Sequence, residues 1–419
     1  MLLFSWPYYS VILRLITSVY QALTNQSLAL SQAEYQTNAV AASSALMGWY
    51  NQTNGLFQTT DWWNAASAIT TLAMLTKVNP QMEFVTKKIW NNTYYNAQKH
   101  NLYQERATPD SIGPSNSSTP GQHEPTIRSF NKHNTYHKRP VRSIREKRAL
   151  LAEWVMEPKG FLNGFYDDEG WWALAWLNVY DISRNKDHLL AATDIFNDMV
   201  STGYNATCGG IWWNKKRNYN SAISNELFLS VAAHLATRVD NKDYYVNWAK
   251  RQWDWFQKSG LINKDYNIND GLDTDCKNND GVVWSYNQGV ILGALSELSK
   301  ADRNNTYPYL ATAKKIALAA KSKLADKNGI LHDHREPNLG NDGNQFKGVF
   351  VRNLWQLYET TQEPWMKTFL LDNAKAVWRS GRNTTTNRMG PVWSGPYYPA
   401  TAATHSSALD VLVAAAGVA

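Results

Sequence analysis

Cysteine is scarce in this chain: Cys208 and Cys276 are the two copies among 419 residues. Two thiols cannot staple a fold of this size, and one disulfide in an oxidising compartment is the most they can supply. Charge is sparse as well, at 18% of residues against 43% hydrophobic. That balance excludes a disordered chain, and the polar interruptions exclude a multi-span membrane protein. Beyond the N-terminal segment there is no uninterrupted apolar run of about 18 residues, so no stable membrane span is expected. The chain also lacks a Gly-rich phosphate loop, a G-x-S-x-G elbow and an H-E-x-x-H pair. Its histidines have no metal spacing, and neither metal nor cofactor is expected. Asp273, Asp275 and Asp280 resemble a calcium loop, but no Glu closes the twelve-residue pattern.

A formal charge of +7 raises the question of nucleic acid. Between Arg128 and Arg148 stand eight basic residues against one acid, which is the whole excess. The rest of the chain is neutral by count, so no nucleic-acid partner is expected. The basic run lies in a stretch over 105–157 that is rich in Pro, Ser and Asn and has no core periodicity, and it reads as an insert. The first 28 residues read as a weak secretory signal with a break at Pro7. Glycosylation sequons begin at Asn25, Asn51, Asn91, Asn116, Asn205, Asn304 and Asn383. The apolar C-terminus follows no polar spacer and reads as a helix end rather than a lipid-anchor signal. A secreted or cell-wall glycoprotein that is a monomer is the expectation.

What the chain has in excess is tryptophan, 19 copies alongside 22 Tyr and 12 Phe. Aromatic faces at a groove suit ligands with flat apolar faces, sugars above all. Apolar residues recur at helical spacing, and six strongly apolar segments begin at Trp62, Trp171, Ile223, Trp284, Phe346 and His405. From Trp171 onward their starts are 52, 61, 62 and 59 residues apart. A more amphipathic stretch fills each interval, so the unit is a helical hairpin repeated around a ring. The expected fold is all-α, a six-hairpin (α/α)6 barrel forming a single domain over 29–419. The interval from 62 to 171 is 109 residues, and its surplus coincides with the insert.

Loops entering inner helices of such a toroid share one rim. Acids, amides and tryptophans gather in those loops: Asp61, Trp62 and Trp63; Tyr166, Trp171 and Trp172; Trp212, Trp213, Asn225 and Glu226; Tyr286, Asn287 and Gln288; and Trp393. These are the expected substrate-binding residues. Asp167-Asp168-Glu169 stands among them. A helix N-terminus stabilises an acid there by about 0.3–1 kcal/mol, which accounts for one or two acids better than for three flanked by aromatics. The chemistry that uses two close carboxylates is glycosidic-bond hydrolysis, with one attacking and one donating a proton. Retaining enzymes hold the pair about 5–5.5 Å apart.

At FYDDEGWWALAWLNVYD, GGIWWNKKRNYNSAISNELFL, WSYNQGVILGAL, FKGVFVRNLWQLY and THSSALDVL the chain resembles glycoside hydrolase family 76, the α-1,6-mannanases. The resemblance implies an (α/α)6 barrel and retaining endo-hydrolysis of α-1,6-linked mannan or mannoprotein glycans without a metal. It implies Asp167 as nucleophile, Asp168 as acid/base and Glu169 in support. Cys208 and Cys276 would fall in neighbouring loops and pair. Two rivals share these residues: a cell-wall transglycosidase of the same family, and a non-catalytic mannan-binding protein.

Overall fold

The computed structural model describes residues 30–100, 160–303 and 308–419. The expected signal segment, the insert with its basic run, and the sequons at Asn25, Asn116 and Asn304 lie outside the described residues. Twelve α-helices are described: α1 (Gln32–Leu46), α2 (Trp62–Val78), α3 (Glu83–Ala97), α4 (Tyr166–Ser183), α5 (Lys186–Asp198), α6 (Ala222–Ala236), α7 (Lys242–Lys258), α8 (Ser285–Ala301), α9 (Tyr309–Leu324), α10 (Gly340–Thr361), α11 (Pro364–Arg379) and α12 (Ala402–Val418). The even-numbered helices pack α2–α4–α6–α8–α10–α12 and back to α2, closing an inner ring, and α1 packs on α12 outside it. This is the (α/α)6 toroid that the repeat spacing predicts.

The two rings differ as their sequences require. Every residue of α6 is buried, as is every residue of α12 except Gly417. Helices buried on all faces need small apolar residues, and both are built from Ala, Leu, Val and Ser. Outer helix α7 buries Tyr245, Val246, Ala249, Gln252, Trp253 and Phe256, a stripe at helical spacing, and turns its charges to water. Glycine permits the closest inner contacts. A Cβ on Gly289 of α8 would stand 2.6 Å from the Cα of Phe350 on α10. Among the described residues no helix is long and apolar enough to cross a membrane.

Two inner-helix starts are set by reciprocal caps. Asp61 and Asn64 exchange side-chain and backbone bonds at the start of α2, and Thr401 and Thr404 do so for α12. Helices α4 and α10 begin five and six residues earlier than expected, at Tyr166 and Gly340. The acids before the apolar runs are themselves the first turn, where the helix dipole favours them.

Two rim loops are tied together. A short hairpin of β1 (Tyr50–Asn51) and β2 (Leu56–Phe57) precedes α2, and strand β3 (Asn220–Ser221) before α6 pairs antiparallel with β4 (Gly271–Leu272) before α8, with Asn220 opposite Leu272. Cys208 and Cys276 form a disulfide between the same loops, with Cα atoms 5.3 Å apart. The loop of Asp273, Asp275 and Asp280 holds a turn in which Asp273 Oδ1 accepts the backbone N–H groups of Asp275 and Lys277, 2.9 Å each.

Candidate active site

The first turn of α4 is fixed from outside the helix. Tyr166 donates its backbone N–H to Trp213 O at 3.0 Å, and Lys215 donates to Gly164 O at 2.9 Å. Three consecutive acids then leave the helix about 100° apart, so they cannot share one environment. Asp167 and Asp168 are 4% and 5% exposed, and Glu169 is fully buried. Asp167 Oδ2 accepts the indole N–H of Trp213 at 3.1 Å. Asp168 Oδ2 accepts from the Asn163 side-chain amide at 2.7 Å. Glu169 turns back: its Oε1 accepts the Asn163 backbone N–H at 2.7 Å and pairs with Lys215 Nζ at 2.8 Å. Burial raises the Glu169 carboxyl well above the usual range, and the Lys215 ammonium opposes that shift.

Asp167 opens onto a narrow cavity of about 40 Å³ at the N-terminal mouth of the ring. Trp63, Trp171, Trp213, Tyr219, Tyr286 and Phe346 wall it, with Ser221 and Ile223. Trp63 stacks on Trp171 with centroids 5.4 Å apart, and Tyr286 stacks on Phe346 at 3.8 Å. Two further acids, Asp270 and Asp342, join Asp167 in the lining. Each of the three takes a hydrogen bond from an aromatic donor: Trp213 to Asp167, Tyr219 to Asp270 at 2.5 Å, and Trp63 to Asp342 at 2.6 Å. Burial raises the Tyr286 hydroxyl well above its ordinary value, and Asp270, Asp167 and Asp342 add to the shift. Tyr286 therefore keeps its proton as a hydrogen-bond donor.

Of the expected site residues, Trp63, Asp167, Trp171, Trp213 and Tyr286 line this mouth, and Asp168 stands beside Asp167 on Asn163. The structure places the others outside the cavity lining. Asp61 caps α2, and Trp62 donates its indole N–H to Ala97 O at 3.0 Å. Tyr166 is buried with its hydroxyl on Thr202, and Trp172 lies in a core cluster with Phe161 and Trp176. Trp212 sits part-buried on the rim loop, outside the cavity lining. Asn225 and Gln288 are fully buried and hold loop backbone, Asn225 at Ile211 and Gln288 at both the N–H and C=O of Ile268. Glu226 and Asn287 are fully buried below the cavity, and Trp393 is fully buried under Lys347. In adjacent aromatic pairs, one side chain faces the mouth and its neighbour, a third of a turn away, enters the wall.

Sequence reasoning missed Asn163, Asp270, Asp342 and Phe346 as site residues. Asp342 precedes the expected start of its helix, and Asp270 lies in a polar loop with nothing to mark it. A larger cavity, about 510 Å³, opens at the opposite end of the ring between Lys77, His234, Arg238, Glu297, Gln356 and Glu359. Its cations are matched to acids: Lys77 to Glu359, Arg238 to Asp181, and Lys300 to Glu297. Of the adjacent carboxylates, Asp167 lines the mouth, and neither lines this larger space.

The sequence profile of glycosyl hydrolase family 76 matches residues 129–416. The chain belongs to glycosyl hydrolase family 76. Within it, the chain is 30% identical over 207 residues to the mannan endo-1,6-alpha-mannosidase DFG5 of Saccharomyces cerevisiae, covering 45% of this chain and 44% of that one. It is 32% identical over 204 residues to a putative mannan endo-1,6-alpha-mannosidase of Schizosaccharomyces pombe, covering 45% and 46%. The chain thus spans about half the length of the curated relatives it matches. Among solved structures, the fold is similar to an inactive variant of alpha-1,6-mannanase GH76A of Salegentibacter sp. HEL1_6 in complex with alpha-1,6-mannotriose. That match has a TM-score of 0.69 at 18% identity over 92% of this chain and 100% of that one. Dfg5 from Chaetomium thermophilum in complex with glucosamine gives 0.65 at 16% identity, over 93% and 90%. These family 76 structures share the toroid.

Proposed function

We propose that this chain is a retaining, endo-acting glycoside hydrolase that cleaves α-1,6-mannosidic linkages in mannan or mannoprotein glycans. The observation that carries the reading is Asp167 at an aromatic-walled mouth with Asp168 as its chain neighbour, each held by its own donor. The printed names of the fungal relatives agree with this substrate. The inactive Salegentibacter variant, complexed with alpha-1,6-mannotriose, carries substitutions at two adjacent aspartates.

In the proposed reaction the Asp167 carboxylate attacks the anomeric carbon. The bond from that carbon to the leaving oxygen breaks as Asp168 gives that oxygen its proton. A water then attacks the glycosyl-aspartate and gives its proton to Asp168, and Asp167 leaves with its electron pair. Trp213 fixes Oδ2 of the attacking group, and the α4 N-terminus favours the negative charge that Asp167 carries. Trp63, Trp171 and Trp213 offer faces for sugar rings, while Tyr286, Asp270 and Asp342 exchange hydrogen bonds with hydroxyls. Glu169 and Lys215 brace the turn from behind. The disulfide suits an oxidising compartment, in keeping with a secreted or cell-wall setting.

Product analysis on linear α-1,6-mannan, with an oligosaccharide acceptor present, tests this. Shorter oligosaccharides released with the α configuration are expected, and Asp167→Asn retains mannotriose binding without turnover. Products longer than the substrate point to a transglycosidase. Binding without new reducing ends in the unmutated protein points to a mannan-binding protein and sinks the hydrolase reading.

A further inference from the structure

Below the mouth lie two fully buried polar side chains whose needs the fold does not meet. Both carboxyl oxygens of Glu226 and both amide atoms of Asn287 lack a hydrogen-bond partner among the described residues. The helical phase tells where they face. On α6, Ile223 lines the mouth, Leu227 sits against Gly170 of α4, and Asn225 points outward to Gln252 of α7. The side left for Glu226, three residues after Ile223, is the one toward α8. On α8, Tyr286 lines the mouth, Gly289 sits against Phe350 of α10, and Gln288 points outward to Ile268. Asn287 is left on the side toward α6. Helices α6 and α8 pack directly on each other. Glu226 and Asn287 thus face one seam, within the first two turns of both helices.

We infer that the α6–α8 seam is an internal water site, with Glu226 and Asn287 as its protein ligands, under the groove floor formed by Ile223 and Tyr286. Leaving four buried polar atoms dry costs free energy that native interiors avoid, and buried waters settle on such groups with about three hydrogen bonds each. The chemistry matches a water on both sides. Burial raises the Glu226 carboxyl well above the usual range, and Asp270, the charged group acting on it among the described residues, adds to the shift. A protonated Glu226 offers one O–H donor and an acceptor oxygen, and the Asn287 amide offers two N–H donors and an acceptor oxygen. One water can take one hydrogen from each side chain and give one of its own to each acceptor. The site does not depend on what the groove cleaves.

A high-resolution crystal structure of the full chain tests this, together with thermal melts of the wild type, Glu226→Gln and Glu226→Leu between pH 4 and pH 8. The expected result is an ordered water about 3 Å from both side chains, kept in Glu226→Gln and expelled in Glu226→Leu. The unfolded glutamate ionises above about pH 4.3, while the native one stays protonated to higher pH. The wild type should therefore lose midpoint temperature relative to Glu226→Gln as pH rises. A dry seam, a metal ion in place of the water, or wild-type and Glu226→Gln midpoints that run parallel across the whole range would overturn the inference.

Discussion

Trp63 on the first inner helix donates its indole N–H to Asp342 on the fifth, at 2.6 Å. The bond spans the mouth between helices that are not neighbours in the ring, since α12 stands between α2 and α10. It holds one wall of the groove to the other and fixes the face that Trp63 stacks on Trp171. Trp63→Phe keeps a ring but removes the donor to a carboxylate. Hydrogen bonds to charged groups contribute about 1.5–3 kcal/mol, so mannotriose affinity should weaken by about ten- to a hundredfold. Titration calorimetry on the Asp167→Asn background reads this directly. Unchanged affinity would remove the bond from any role in binding.

Asn163 is the residue on which the first turn of α4 rests. Its side-chain amide donates to Asp168, its backbone N–H donates to Glu169, and its Oδ1 accepts the Phe165 N–H at 2.8 Å. Asn163→Ala removes the first and third bonds and leaves the second. With the Asn163 amide no longer orienting Asp168 Oδ2, proton delivery to the leaving oxygen suffers while sugar binding does not. The expected outcome is kcat down by about ten- to a hundredfold with KM within about threefold. Asp168→Asn should cost more, about a hundred- to ten-thousandfold. A rise in KM with kcat preserved would place Asn163 in binding.

The ring was legible because burial leaves a strong mark on sequence. Helices such as α6 and α12, buried on nearly every face, are dominated by Ala, Leu, Val and Ser, and that composition repeats at about sixty residues. The mouth was half legible. Sequence puts Trp62-Trp63, Trp171-Trp172 and Trp212-Trp213 at the rim, but which member turns inward depends on helical phase in the first two pairs and on loop pairing in the third. Phase depends on where each helix starts, and α4 starts five residues before the tryptophan pair. Asn225 and Gln288 carry polar chemistry that sequence cannot tell from ligand binding, although both serve loop backbone. Asp270 was invisible because its partner Tyr219 is 51 residues away.

The Cys208–Cys276 bridge closes 68 residues of separation between the loops that carry Trp213, Tyr219 and Asp270. Loop-closure entropy alone is worth roughly 4 kcal/mol for that length, and the β3–β4 pairing already supplies part of the constraint. The double variant Cys208→Ser/Cys276→Ser should lose about 2–4 kcal/mol by denaturant titration and bind mannotriose more weakly. A free-thiol assay on the unreduced wild type should find none. Two reactive thiols, or a variant as stable as the wild type, would contradict the bridge.

His405 gives the fold a defined acid sensitivity. Its Nδ1 accepts the Met389 N–H at 3.0 Å and its Nε2 donates to Ala42 O at 2.8 Å, so the neutral ring uses both nitrogens. A second proton would point at an N–H, and burial lowers its pKa to about 4. The unfolded ring binds a proton near pH 6.5, so the unfolded state takes up more protons between 6.5 and 4. Stability from this group is complete above pH 6.5 and falls by roughly 3 kcal/mol as pH drops to 4. Asp333 and Asp410 act in the opposite sense. Burial raises each to about 7, so their contribution is full below the unfolded carboxylate range and declines as pH rises toward 7. The wild-type profile sums these opposed slopes, and a comparison with His405→Gln isolates one of them. The variant should be less stable than the wild type at pH 7.5, because it loses bonds to Met389 and Ala42. Denaturant titrations at pH 7.5, 6 and 5 should show that gap narrowing as pH falls, since only the wild type has a ring to protonate. A gap that stays constant would mean that His405 titrates in the fold as it does in the unfolded chain.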